Sequence, residues 1–133
     1  MDTWYNKIKS EVVTQIEYML KTRTDAPYPT LKITTVSQTV APSEFPTLYL
    51  RSELVETGQD LDNATINAVN NTVIVQVWTN KGQTECEGIL NATIAELKRM
   101  RYNIPAFPVV VTDSGISWGT IRARRIIGAA DVI

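Results

Sequence analysis

The side chains that most often do chemistry are scarce in this sequence: there is no histidine, and Cys86 is the single cysteine. Nucleophilic catalysis needs a positioned base, usually histidine, next to the attacking group. Cys86 falls on the apolar stripe of a helical segment, where a cysteine acts as a small hydrophobe and not as a thiolate. A zinc site needs clustered cysteine and histidine, which are absent. Asp60-Leu61-Asp62-Asn63 offers oxygen ligands, but the glycine and distal glutamate of a calcium loop do not follow at the right spacing. Gly115 and Gly119 stand four apart in Gly115-Ile116-Ser117-Trp118-Gly119, which reads as turn chemistry outside a membrane helix. No glycine-rich loop could cradle a phosphate. The expectation is a protein that is not an enzyme, with no cofactor and no metal.

The more informative residues are those that suit contact with another protein. Trp118-Gly119-Thr120-Ile121-Arg122-Ala123-Arg124-Arg125-Ile126-Ile127-Gly128 reads as a long strand. In a strand the side chains alternate, so Trp118, Thr120, Arg122, Arg124 and Ile126 share one face. Ile121, Ala123, Arg125 and Ile127 share the other, which is the expected core side. Tryptophan beside arginine on an open face is a combination enriched in interface hot spots. A second candidate is the polar stretch Val55 to Thr65, which contains Gln59, Asp60 and Asp62, lacks periodicity and is expected to be a loop that reaches a neighbour.

The elements that must position these residues follow from periodicity. Trp4, Ile8, Val12, Ile16, Met19 and Leu20 make the stripe of a helix from Thr3 to Arg23, with Asp2 or Thr3 as its cap. Proline at 27 and 29 ends it. Leu31 to Val40 and Thr47 to Arg51 read as strands, the second with Leu48 and Leu50 on one side. Ile66 to Thr79 is a third, its valines 73, 75 and 77 opposite Ile74, Gln76 and Trp78; Asn70-Asn71 suits a bulge or a hairpin there. A second helix runs from Gly82 or Gln83 to Arg101, with the stripe Cys86, Ile89, Leu90, Thr93, Leu97 and Met100. Asn80 and Gln83 suit a capping box at its start. Val109 to Thr112, a turn at Asp113-Ser114-Gly115, and a strand from Ile116 to Ile127 complete the chain. The expected fold class is α+β: a mixed, largely antiparallel sheet with two α-helices packed on one face, in the order α-β-β-β-α-β-β.

With 133 residues the chain suits one domain, 1–133, able to bury a core without staples. Apolar residues make up 44% and charged residues 20%, which argues against disorder, and no run suits a membrane span. Met1-Asp2-Thr3-Trp4 lacks the basic and apolar regions of a signal peptide, so a cytoplasmic origin is expected. The net charge of −1 hides an asymmetry. From Glu44 to Glu96 eight acids face only Arg51 and Lys81, whereas from Lys98 onward six bases face Asp113 and Asp131. Such polarity can draw copies of one protein together head to tail.

The element order, the stretch Gly58-Gln59-Asp60-Leu61-Asp62-Asn63-Ala64-Thr65-Ile66-Asn67-Ala68 and the ending Arg124-Arg125-Ile126-Ile127-Gly128-Ala129-Ala130-Asp131 resemble the tail terminator proteins of long-tailed bacteriophages and the related tail completion proteins. The resemblance spans nearly the whole chain, through short motifs and element order. It implies a structural virion protein that forms a hexameric ring on the head-proximal end of the tail tube. Such a ring ends tube polymerisation and offers a joining surface to the head-tail connector and neck proteins. DNA passes through its channel without specific binding. The resemblance thus implies assembly in the host cytoplasm and residence in the virion, with no membrane partner. Ring closure needs heterologous contacts, for which Trp118, Arg122, Arg124, Gln59, Asp60 and Asp62 are the candidates. Two other readings stay open: a neck or head-completion protein bound to the connector, and a small nucleic-acid-binding module built on Trp118, Arg122 and Arg124.

Overall fold

The computed structural model describes residues 4–35, 45–59, 66–106 and 108–128, and in 56–59 and 66–67 the backbone alone. Helix α1 (Ile8–Glu17) follows a 3₁₀ turn at Trp4–Lys7 and widens into a π turn at Tyr18–Thr22. Strands β1 (Lys32–Thr34), β2 (Thr47–Gln59) and β3 (Ile66–Thr79) precede helix α2 (Gln83–Arg99), and β4 (Val111–Asp113) and β5 (Ile116–Gly128) close the sequence of elements. The five strands form one mixed sheet in the order β1-β2-β3-β5-β4, with only β1 and β2 parallel. The α+β class, the element order and the mostly antiparallel sheet are those expected from the sequence.

Burial alternates along the strands as their period of two requires. Leu48, Leu50, Val69, Val73, Val75, Val77, Ile121, Ala123 and Ile127 turn to one side, where they meet Ile8, Val12, Ile16 and Leu20 of the first helix and Cys86, Ile89, Leu90 and Leu97 of α2. Each fully buried Val, Leu or Ile stabilises the fold by roughly 1.5–3 kcal/mol relative to exposure, so this two-layer contact is the main source of stability. Gly119 lies on the buried side of β5, where an added Cβ would come within 2.6 Å of Leu90 Cδ1. It permits close approach of helix to sheet and is not the turn residue its spacing from Gly115 suggests. The turn itself uses Ser114 (φ 54°) and Gly115 (φ 81°), both left-handed, as a tight hairpin requires.

Several boundaries differ from the sequence expectation. The stretch from Val55 to Thr65 is not a loop throughout: β2 continues to Gln59 and β3 begins at Ile66. Register shifts flanking Gly58 break the alternation there, which is why the pattern fades while the strand persists. Asn70 and Asn71 form neither bulge nor hairpin and pair regularly with Val55 and Leu54. The strand at Leu31 begins at Lys32 and its described part ends at Thr34; residues 36–40 lie outside the described residues, as do Asp2 and Thr3. The connection 35–46 is long enough for the crossover that a parallel β1–β2 pair needs. At the start of α2 the cap is Gly82, not Asn80, and no side chain bonds to it. Gln83 donates to Glu87 Oε1 at 3.0 Å, while the Thr79 hydroxyl donates to Glu85 Oε1 at 2.6 Å.

The far end of α2 is fixed more firmly. Tyr102 N–H donates to Leu97 O and Arg101 N–H to Lys98 O, each at 2.9 Å, with Arg101 left-handed at φ 68°. This is a Schellman ending with arginine where glycine is usual. It delivers Tyr102 beneath the sheet, where its hydroxyl donates to Asn71 Oδ1. Asn71 Nδ2 donates in turn to Ser52 Oγ at 2.6 Å and to Glu53 O at 3.1 Å. Arg125, 8% exposed on the core side of β5, donates to Met100 O at 2.9 Å. Asn103 then exchanges both backbone hydrogen bonds with Arg124. Buried polar groups are costly unless paired, and this network pairs them across β2, β3, β5 and α2.

Replacing Arg101 by glycine removes a left-handed penalty of roughly 1–2 kcal/mol and adds chain entropy of roughly 0.5–1 kcal/mol to the unfolded state. R101G is expected to raise stability by about 0.5–1 kcal/mol in urea unfolding. Burial pushes the Tyr102 hydroxyl up to about 12, against a smaller lowering by Arg125. Because the folded value is raised, this contribution is complete below pH ~10 and is lost as the pH rises toward 12. Tyr102→Phe should therefore cost about 1–3 kcal/mol at neutral pH, and the gap to wild type should close by pH 12 in urea titrations.

Candidate assembly interface

Register decides which side chains meet on the uncovered face of the sheet. Arg51, Ile74 and Arg122 stand abreast across β2, β3 and β5. The next row toward the β2–β3 connection is Glu53, Thr72 and Arg124, and the row after it is Val55, Asn70 and Ile126. In the other direction lie Tyr49, Gln76 and Thr120, then Thr47, Trp78 and Trp118 with Val111 of β4. Trp118, Arg122 and Arg124 therefore share a face, as the alternation in sequence predicts.

Their environments differ. Trp118 is half-buried and stacks on Trp78, with ring centroids 5.3 Å apart and an interplanar angle of 23°. Much of the indole that reads as a hot spot is thus occupied within the chain. Trp78 Nε1 is buried without a hydrogen-bond partner. Arg122 and Arg124 are exposed, and among the described residues neither has an ion-pair partner. Arg51 is bound to Glu53 at 3.0 Å, an exposed pair worth at most about 1 kcal/mol. Ile74, between Arg51 and Arg122, is 8% exposed although neither described helix packs on its face. The arginine stems flanking it are suited to covering it.

Two apolar side chains stand out at the same end of this face, Val55 at 62% exposure and Ile126 at 65%. Either alone would be ordinary; together with unpaired guanidinium groups they give the composition of a protein contact. Sequence reading missed Val55 because the strand was read as loop there, and missed Arg51 and Ile74 because pairing across strands brings them beside Arg122. Gln59 lies at the end of β2, past the register shifts at Gly58. Asp60 and Asp62 lie outside the described residues. Beyond Tyr49 the outer edge of β2 has no strand partner among the described residues.

The rest of the described surface offers little for small-molecule chemistry. Cys86 is fully buried, its Sγ 3.8 Å from Val77 O, and burial with Glu87 and Glu85 nearby pushes the thiol up to about 11. Glu96 is 4% exposed and pairs with Arg99 at 3.3 Å, while its Oε2 has no hydrogen-bond partner. Among the described residues no three His, Cys, Asp or Glu side chains are grouped to hold a metal. A groove of about 240 Å³ is lined by Pro105, Ala106, Pro108, Val109, Thr120 and Arg122, below the ~300 Å³ at which ligand pockets usually begin. Among the described residues no helix is long and apolar enough to cross a membrane.

No protein-family model matches the chain, and no curated protein matches it.

If the two indoles support each other, a double-mutant cycle of Trp78→Leu and Trp118→Leu should give a coupling of about 0.5–1.5 kcal/mol in chemical unfolding. Strictly additive losses would mean that the stack contributes nothing beyond burial.

Proposed function

We propose that this chain is a structural assembly protein that forms a ring at the head-proximal end of a phage tail tube. The ring ends tube growth and presents the surface to which the head connector joins. The observation that carries the assembly half is the uncovered sheet face, where Arg122 and Arg124 stand exposed beside Val55 and Ile126. The site on the tail is supported by the resemblance to tail terminator and tail completion proteins in residues 58–68 and 124–131 and in the order of elements. Six copies are the number that resemblance implies.

A ring needs two different patches per copy that meet across each junction. A two-layer domain whose described helices cover one side of the sheet, with Arg122 and Arg124 exposed on the other, offers such non-equivalent surfaces. The excess of arginine on the bare face also suits a nucleic-acid module, but its two tryptophans are packed on each other and offer less free ring surface for bases to stack on. The same domain bound to the connector, as a neck protein, would use the same assembly chemistry.

Adding the purified protein to growing tail tubes should arrest elongation and leave a ring at one end in negative-stain images. Tubes that keep lengthening, with bare ends, would contradict this function.

A further inference from the structure

The described charges on the half of the molecule built from α2, β4 and β5 are sorted by sign along its length. At one end are Glu85 and Glu87 of α2 and Asp113 of β4. Register holds them together: Thr79 stands in one row with Ser117 and Thr112, and its hydroxyl is the donor to Glu85. Lys81, in the turn before α2, is exposed and forms an ion pair with none of the three. At the other end Lys98, Arg101, Arg122 and Arg124 are exposed without an ion-pair partner, and Arg99 is bound to Glu96. The bonds of Arg125 to Met100 O and of Asn103 to Arg124 bring the end of α2 to these rows of β5.

Helix polarity alone does not produce this order. Acids in the first turn of α2 and bases in its last turn suit the helix dipole, but Asp113, Arg122 and Arg124 are on strands and follow the same direction. The first helical segment, in contrast, mixes Lys7, Lys9, Glu11, Glu17 and Lys21. The two ends are also too far apart to neutralise each other within one chain. Asp113 pairs with Ile116, which is six residues from Arg122 and eight from Arg124, about 20 Å and 26 Å at ~3.3 Å per residue. Along α2, Glu85 and Lys98 are thirteen residues apart, about 20 Å at ~1.5 Å per residue. Each end has exposed apolar surface as well: Val111 beside Asp113, and Ile126 and Val55 beside Arg124.

We propose that the basic end of one copy, Arg122 and Arg124 with Ile126 and Val55, docks on the acidic end of a second copy, Glu87 and Asp113 with Val111. The inference rests on the ring reading and names the two patches that its junction uses. The contact is heterologous, so repetition gives a closed ring or a filament. Exposed valine and isoleucine bordered by charge match the apolar core and polar rim of protein contacts. Nucleic acid is another polyanion for the basic end, but it leaves the complementary acidic end without a role.

Charge exchange tests the contact by sedimentation velocity. Glu87, Asp113, Arg122 and Arg124 are all exposed, and circular dichroism checks that each variant is folded. R122E/R124E sets acid against acid across the junction, and E87K/D113K sets base against base. Each variant alone should therefore assemble roughly tenfold or more weakly than wild type. An equimolar mixture should recover, since alternating copies again place acid against base at every junction. The quadruple variant E87K/D113K/R122E/R124E, with the charges exchanged, should assemble by itself. The proposal is overturned if the wild type stays monomeric, or stops at a dimer as a two-fold contact would. It is also overturned if either double variant assembles like wild type, or if neither the mixture nor the quadruple variant recovers. Salt-sensitive retention of monomeric wild type on DNA, abolished by R122E/R124E, would assign the basic end to nucleic acid instead. If wild type arrests tubes while the exchange fails, the contact is wrong and the ring reading stands. If the exchange succeeds while tube length is unaffected, the contact stands and the placement on the tail falls.

Discussion

Strands β2, β3 and β5 bury one face against two helices and leave the other only partly exposed, and most of the structure answers to that difference. It sets the alternation of apolar and polar residues along each strand. It requires an apolar stripe on each helix, met by Ile8, Val12, Ile16 and Leu20 in the first and by Cys86, Ile89, Leu90 and Leu97 in the second. It also requires Gly119, since α2 comes close enough for Leu90 to occupy the space of a side chain there. The exposed counterpart of the same alternation carries Arg122, Arg124, Ile126 and Val55.

The sheet is longer than the helices that cover it, and polar chemistry takes over where they end. Asn71, Tyr102 and Arg125 are buried at that boundary: Tyr102 donates to Asn71, Asn71 to Ser52 and the Glu53 carbonyl, and Arg125 to the Met100 carbonyl. An apolar filling would serve burial as well, but it would not fix the height at which α2 meets the strands. Hydrogen bonds with defined partners do, and they hold the direction in which the chain leaves α2 toward β4. The position of Arg124 on the open face is tied to this network, because its backbone pairs with Asn103.

Periodic features were legible in the sequence. The α2 stripe is repeated over four turns, and the two faces of β5 follow from simple alternation, including Arg125 on the inner side. Features that depend on distant partners were not. Asn70-Asn71 resembles a turn signal until Tyr102 and Ser52 are found bonded to Asn71. The end of β2 resembles a loop because the register shifts beside Gly58 erase its alternation. Asn80 has the chemistry of a helix cap, yet the chain turns at Gly82 instead. In the interface, Trp118 was recognisable by type but not its stacking on Trp78, which follows from the register of β3 and β5. The patch around Arg122 draws on three strands, and no single segment of sequence contains it.

These features describe a domain with one packed side and one side where Arg122, Arg124, Val55 and Ile126 stand exposed, the two arginines without an ion-pair partner among the described residues. Self-association is the central claim, and the mass of the native particle tests it most directly. Native mass spectrometry of the purified protein at moderate salt should give a discrete multiple of the 14.9 kDa chain, about six-fold for the ring that the resemblance implies. A single species at 14.9 kDa across the accessible concentration range would contradict it.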